Sequence, residues 1–153
     1  MTTAATTRAP AALRVLSILV LVAGVVLVVA GAATWFVVRS TLADEKISVS
    51  SDASHFAGDA VNGPLTAYVQ ADTINKHATE ISGGKTYAEL PQDDPNRATV
   101  MTASFLRASL FTSVVSFGVA AMAAGLGLVF ILIGWALLSI ARSLSAPSEA
   151  PRA

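Results

Sequence analysis

Residues 108–141 read ASLFTSVVSFGVAAMAAGLGLVFILIGWALLSIA, 34 positions without a charge. A bilayer core about 30 Å thick takes roughly 20 apolar residues of helix at 1.5 Å per residue. A second charge-free block lies upstream, 24 residues from Val15 to Val38, VLSILVLVAGVVLVVAGAATWFVV. Both are long enough to span. In hydrocarbon every backbone N–H and C=O must be paired within the segment, so each block is expected to be helical despite its valines. A cleaved leader is the alternative for the first block, with Arg8 and Arg14 as its basic flank and Ala30-Gly31-Ala32 as a cleavage-like site. The apolar run is longer than a leader's usual 7–15 residues and continues through Trp35 to Val38.

Composition agrees with the two blocks. Of the 153 residues, 54% are apolar and 13% charged, with ten Lys/Arg against ten Asp/Glu. A soluble domain is about 25% charged. The absence of net charge and of a basic tail points away from nucleic acid. No cysteine is present, which removes disulfides, thiolate metal sites and cysteine nucleophiles.

Lys/Arg placement gives an orientation. Arg8, Arg14, Arg142 and Arg152 stand in the tails against Glu149 alone, whereas 39–107 carries six Lys/Arg and nine Asp/Glu. Positive charge favours the cytoplasmic side. The expected architecture is all-α: a cytoplasmic tail over 1–14, a transmembrane helix over 15–38, an extracytoplasmic loop or cap over 39–107, a second transmembrane helix over 108–141 and a cytoplasmic tail over 142–153. Trp35, Phe36 and Trp135 suit interfacial belts.

Within the loop, Ile47 and Val49 alternate with Ser48 and Ser50 as in a short strand. Asn62-Gly63-Pro64 opens a helix whose apolar positions are Leu65, Tyr68, Ala71, Ile74, Ala78 and Ile81, ended by Gly83-Gly84. Thr86 and Glu89 have capping-box spacing, and Pro91 stops that turn. Asp94-Pro95 predicts the start of a long helix near Pro95, projecting from the bilayer as a stalk with Met101, Phe105 and Ala108 on its inner face. A loop this small has little core of its own, so the stalk is expected to support it.

Candidate chemistry is sparse. Two His and a carboxylate make the facial set of non-haem iron oxygenases; His55, His77 and Glu80 are the candidate ligands, with Asp52, Asp59 and Asp72 nearby in sequence. Gly84-Lys85-Thr86 ends like a phosphate loop but lacks its first glycine, Thr79 standing there. The apolar blocks hold no ionisable residue, unlike transport pathways. They hold small residues instead: Ala23-Gly24 and Ala30-Gly31, then Gly118, Ala121 and Gly125, spacings that let helices pack against each other, a partner or a second copy. These residues specify no catalytic site and no cofactor. The expected function is that of a non-enzymatic accessory or interaction protein in the cell membrane, its partners the lipid bilayer and another membrane or envelope protein.

The stretches TWFVVRSTLADEKISVS (34–50), NGPLTAYVQADTINKHATEISGGKTYAEL (62–90) and DDPNRATVMTASFLRASLFTSVVSFGVAAM (93–122) resemble a family of small two-pass membrane proteins of actinobacteria. Its members are described either as aromatic ring-opening dioxygenases of the protocatechuate 4,5-dioxygenase small-subunit type or as uncharacterised membrane proteins. The resemblance covers most of 15–141. It implies the two-pass fold and, as the alternative function, ring opening by a non-haem iron dioxygenase or its small subunit; it carries no catalytic residue onto this chain.

Overall fold

The computed structural model describes residues 8–145; the tail residues Glu149 and Arg152 used for orientation lie outside them. The described chain is helical: α1 (Arg8–Asp44), α2 (Pro64–Ile81), a 3-10 turn (Tyr87–Glu89) and α3 (Arg97–Leu144). Helix α1 has 37 residues and α3 has 48. At 1.5 Å per residue those are about 55 and 72 Å, more than a bilayer core requires. No proline falls between Pro10 and Pro64 or between Pro95 and Pro147, so nothing interrupts either ladder. Two helices are therefore long and apolar enough to cross a membrane, with only 17% and 11% of their most apolar windows buried.

Contacts divide the described chain into two units, 8–32 with 122–145, and 33–121. In the first, α1 and α3 run antiparallel at backbone contact. A Cβ on Gly24 would stand 2.7 Å from the Gly127 carbonyl oxygen, and one on Gly134 would stand 2.9 Å from the Leu21 nitrogen and 3.0 Å from the Ser17 carbonyl oxygen. Only glycine allows that approach. Ser17, Gly24 and Gly31 are buried at seven-residue spacing on α1, as are Gly127, Gly134 and Ala141 on α3. A seven-residue repeat belongs to a left-handed crossing. Ser17 donates its hydroxyl to the Leu13 carbonyl at 2.6 Å, so its buried oxygen is satisfied. Gly118 and Gly125, expected in the packing stripe, meet nothing.

The second unit has a side-chain core: Leu42, Val49, Val61, Ala67, Ala71, Leu110 and Phe117 are buried together. Trp35 meets Phe117 edge to face at 4.7 Å. The expected strand at 47–50 shrinks to one antiparallel bridge, Ser48 to Ala60, flanked by the Val49 N–H to Asp59 (2.8 Å) and the Val61 N–H to Ile47 (2.8 Å). No third segment extends it, and Asn62-Gly63-Pro64 turns the chain into α2 two residues later. There the Thr66 hydroxyl takes the Gly63 N–H at 3.2 Å. The helix ends where expected, Gly83 and Gly84 adopting φ 64° and 88°.

The buried face of α2 overlaps the expected one in part: Ala71 is buried and Ile74 packs against the core as expected. Ala67, Gln70, Ala71 and Thr73 are buried, whereas Leu65, Tyr68 and Ile81 are exposed. Small side chains at 67 and 71 let the helix lie close to its neighbours; of the two, Ala67 falls outside the expected apolar period. The start of α3 also moves. The Asp94 carboxylate takes the Asn96 N–H at 2.8 Å and its carbonyl takes the Arg97 N–H at 3.1 Å, so Asp94-Pro95-Asn96 forms a turn and the helix begins at Arg97. Of the expected stalk face, Phe105 is exposed; Val100 and Leu110 are the buried positions instead.

Candidate functional site

A cavity of 470 Å³ opens between the C-terminal part of α1, the middle of α2 and α3. Ligand pockets typically measure about 300–1,000 Å³. Its apolar wall is Val37, Val38, Leu42, Ile47, Ile74 and Leu110. Several hydroxyls also line it, but helix geometry closes them. Thr41 donates to the Val37 carbonyl (2.9 Å), Thr112 to Ala108 (2.9 Å), Ser113 to Ser109 (3.3 Å) and Ser116 to Thr112 (2.8 Å). A hydroxyl that bonds back four residues has spent its proton and presents chiefly its methyl or methylene.

Three lining groups keep free polarity: the exposed Ser109 hydroxyl, which donates to nothing among the described residues, Glu45 and Gln70. The exposed Glu45 carboxylate stands where α1 has just ended, and it forms no ion pair among the described residues. Gln70 is 8% exposed. Its Oε1 takes the Ser50 N–H at 2.8 Å and the Ser50 hydroxyl at 3.3 Å. A peptide N–H can only donate, so that contact fixes which end of the amide is oxygen. The Nε2 donates to nothing among the described residues, and no buried polar side-chain atom there lacks a partner. The amide N–H groups are therefore accessible where Gln70 lines the cavity.

The sequence candidates lie elsewhere. His77 Nε2 meets Asp52 Oδ2 at 2.6 Å, across 25 residues, with side chains 42% and 49% exposed. The hydrogen bond from His77 holds the Asp52 carboxyl below its ordinary value of 3.8, more strongly than desolvation raises it. Among the described residues the one hydrogen-bond partner of His55 is its neighbour, Ser54 Oγ at 3.1 Å, and Glu80 is exposed. Among the described residues no three His, Asp or Glu side chains gather closely enough to hold a metal, so His55, His77 and Glu80 are not brought together. Asp52, near His55 in sequence, belongs to His77 in space. His77 also borders a shallower 370 Å³ groove with Ile74, Ile81, Thr102 and Leu106.

The connection from α2 to α3 is pinned at both ends. Asn96 Nδ2 reaches the Ile81 carbonyl at 3.3 Å. The Arg97 guanidinium donates to the Tyr87 and Leu90 carbonyls and stacks 4.3 Å from the Tyr87 ring. Thr86 N–H and hydroxyl both meet Glu89 Oε2 at 2.8 Å, the spacing expected for a capping box, and the Thr86 N–H bond lowers the Glu89 pKa. Arg97 is thereby committed to structure.

Glu45 and Gln70 escaped the sequence reading. Gln70 sits beside Ala71 on a helix whose apolar period makes it look solvated, and only its bond to Ser50, twenty residues back, draws it inward. Comparison of the chain with protein-family models, curated proteins and solved structures gives no match.

Proposed function

We propose that this chain is a two-pass integral protein of the cell membrane, a helical hairpin with both termini cytoplasmic and 39–107 forming a small extracytoplasmic cap, and that it serves as an accessory or interaction protein of the envelope. The observation that carries the reading is the apolar surface left uncovered. Along α1, Val15, Leu19, Val22, Val26 and Val29 are exposed; along α3, Val119, Met122, Leu128, Leu132 and Trp135 are. A soluble monomer's largest apolar patch is about 300–600 Å², and a core helix of a soluble protein is mostly buried. Lipid is the covering that matches two such lengths.

The orientation rests on Arg8, Arg14, Arg142 and Arg152. The accessory role is supported by a side-chain core that joins Leu42, Val49, Val61, Ala67 and Ala71 of the cap to Leu110 and Phe117, and by spans without ionisable residues. Reporter fusions test the topology: one after Ala153 should be active in the cytoplasm and one inserted at Gly83-Gly84 outside. Release from membranes by alkaline carbonate, or the reverse reporter pattern, would overturn the reading. Stoichiometric iron that disappears in His77→Ala would replace the accessory role with the oxygenase.

A further inference from the structure

We infer that the cavity between α1, α2 and α3 is a binding site for a neutral single-chain amphiphile drawn from the bilayer, with an ester carbonyl and free hydroxyls at its head, as in a monoacylglycerol; this rests on the membrane reading above. Three observations converge. The wall is apolar, and the hydroxyls of Thr41, Thr112, Ser113 and Ser116 are turned to their own helices, so they offer a hydrocarbon chain no unpaired donor; the exposed Ser109 hydroxyl, which donates to nothing among the described residues, is the exception. Val37, Val38 and Leu110–Ser116 belong to the charge-free stretches that would contact lipid, so the apolar end is continuous with a lipid source.

The polar groups then select the head. Gln70 is more than nine-tenths buried and its Oε1 is held by Ser50, so its free amide N–H groups ask for an acceptor oxygen such as an ester carbonyl. Glu45 supplies only acceptors, which suit a hydroxyl and repel a phosphate or free carboxylate. An acceptor at Gln70 and a donor at Glu45, with no cation among the cavity's lining residues, describe an uncharged hydroxylated ester.

Native mass spectrometry of the full chain in detergent tests this, with monooleoylglycerol as probe and oleoyl lysophosphatidate as the anionic counterpart. The expected result is a single monooleoylglycerol adduct, with lysophosphatidate at least tenfold weaker. Gln70→Glu keeps an acceptor for the Ser50 N–H but removes the amide donor, and should weaken the adduct about three- to tenfold, the span of one net hydrogen bond. Ser109→Trp, at an exposed lining position, should abolish it by filling the cavity while circular dichroism stays unchanged. Glu45→Gln should narrow the preference against lysophosphatidate. An adduct equally strong in Ser109→Trp or in Gln70→Glu, or equal binding of the two lipids, would overturn the assignment. Loss of the adduct with the reporter pattern intact would remove the site and leave the topology. A single adduct in a chain with reversed reporters would remove the topology and leave the site.

Discussion

Between 8–32 and 122–145 the buried positions are Ser17, Gly24, Gly31, Gly127, Gly134 and Ala141, and the large apolar side chains point away from the contact. Between 33 and 121 the buried set includes Val49, Val61, Leu110 and Phe117, with polar side chains outside over the loop and α2. The first region buries only small residues, whereas the second also buries large ones, Val49, Val61, Leu110 and Phe117 beside Ala67 and Ala71. In water, hydrophobic burial pays only if large apolar groups go inside. In lipid no such gain separates inside from outside, and close backbone approach through small residues is what holds helices together. The same chain uses both rules, and on the membrane reading proposed above the change of rule falls near the change of solvent.

The sharpest way to break this comparison is one substitution at two equally exposed sites. Val26 in α1 is 59% exposed and Leu65 in α2 is 65% exposed. Val26→Asp should cost about 3–4 kcal/mol of membrane insertion. Leu65→Asp lies in the first turn of α2, where a negative charge suits the helix dipole, and should change stability by less than about 0.5 kcal/mol. Quantifying the inserted fraction and the thermal unfolding of each variant decides it. Equal tolerance at both sites would mean both face water.

Next in size is the glycine contact. Gly127→Leu drives a side chain into Gly24 and Val28, whose atoms lie 2.6–2.8 Å from the added Cβ. Overpacking of this kind costs about 1–3 kcal/mol. Gly118→Leu, where a Cβ meets nothing within 4 Å, should be neutral or slightly favourable, leucine being the better helix former. Unfolding in mixed micelles reports both, and similar losses in the two variants would show that the helices do not meet through Gly127.

The sequence made the local features legible and the pairings only in part. Pro64 and Gly83-Gly84 delimit α2 because fixed φ and positive φ are written in single residues. Gly24 was visible as a packing position for the same reason. Its partner was not: α3 carries two glycine pairs seven apart, 118/125 and 127/134, and spacing alone does not say which faces α1. The inward turn of Gln70 and the capture of Asp52 by His77 come from contacts across 20 and 25 residues, which no local period encodes. Asp94-Pro95 has the pattern of a helix start, whereas the short Asp94 side chain closes a turn just before one.

A smaller effect sits where α1 gives way to the loop. Lys46 has φ 53° and its N–H returns to the Ala43 carbonyl at 3.1 Å, the left-handed residue that terminates a helix. A non-glycine residue there bears about 1–2 kcal/mol, of which glycine would give back about 0.5–1 kcal/mol through greater freedom in the unfolded chain. Lys46→Gly should therefore stabilise the 33–121 region by under about 1 kcal/mol. Amide exchange at Val49 and Val61 would register it as slower opening, and faster exchange would show that the lysine side chain contributes more than its backbone costs.

The smallest effect is the pH dependence of the His77–Asp52 contact, because both side chains are largely solvated. The Asp52 carboxyl is held below 3.8, first by its hydrogen bond to His77 and also by the nearby charges of His77 and Lys76. A carboxyl depressed in the folded state binds fewer protons folded than unfolded. Its stabilisation is fully present above the unfolded value and is lost as pH falls through the lower folded value. Asp52→Asn should thus be slightly less stable than the natural chain at pH 5 and above. The two should converge as the medium is acidified below the ordinary carboxylate value. Parallel unfolding curves at pH 6 and in that acidic range give the difference. A gap that persists undiminished in acid would mean that Asp52 stabilises the loop through hydrogen bonds that do not need its charge.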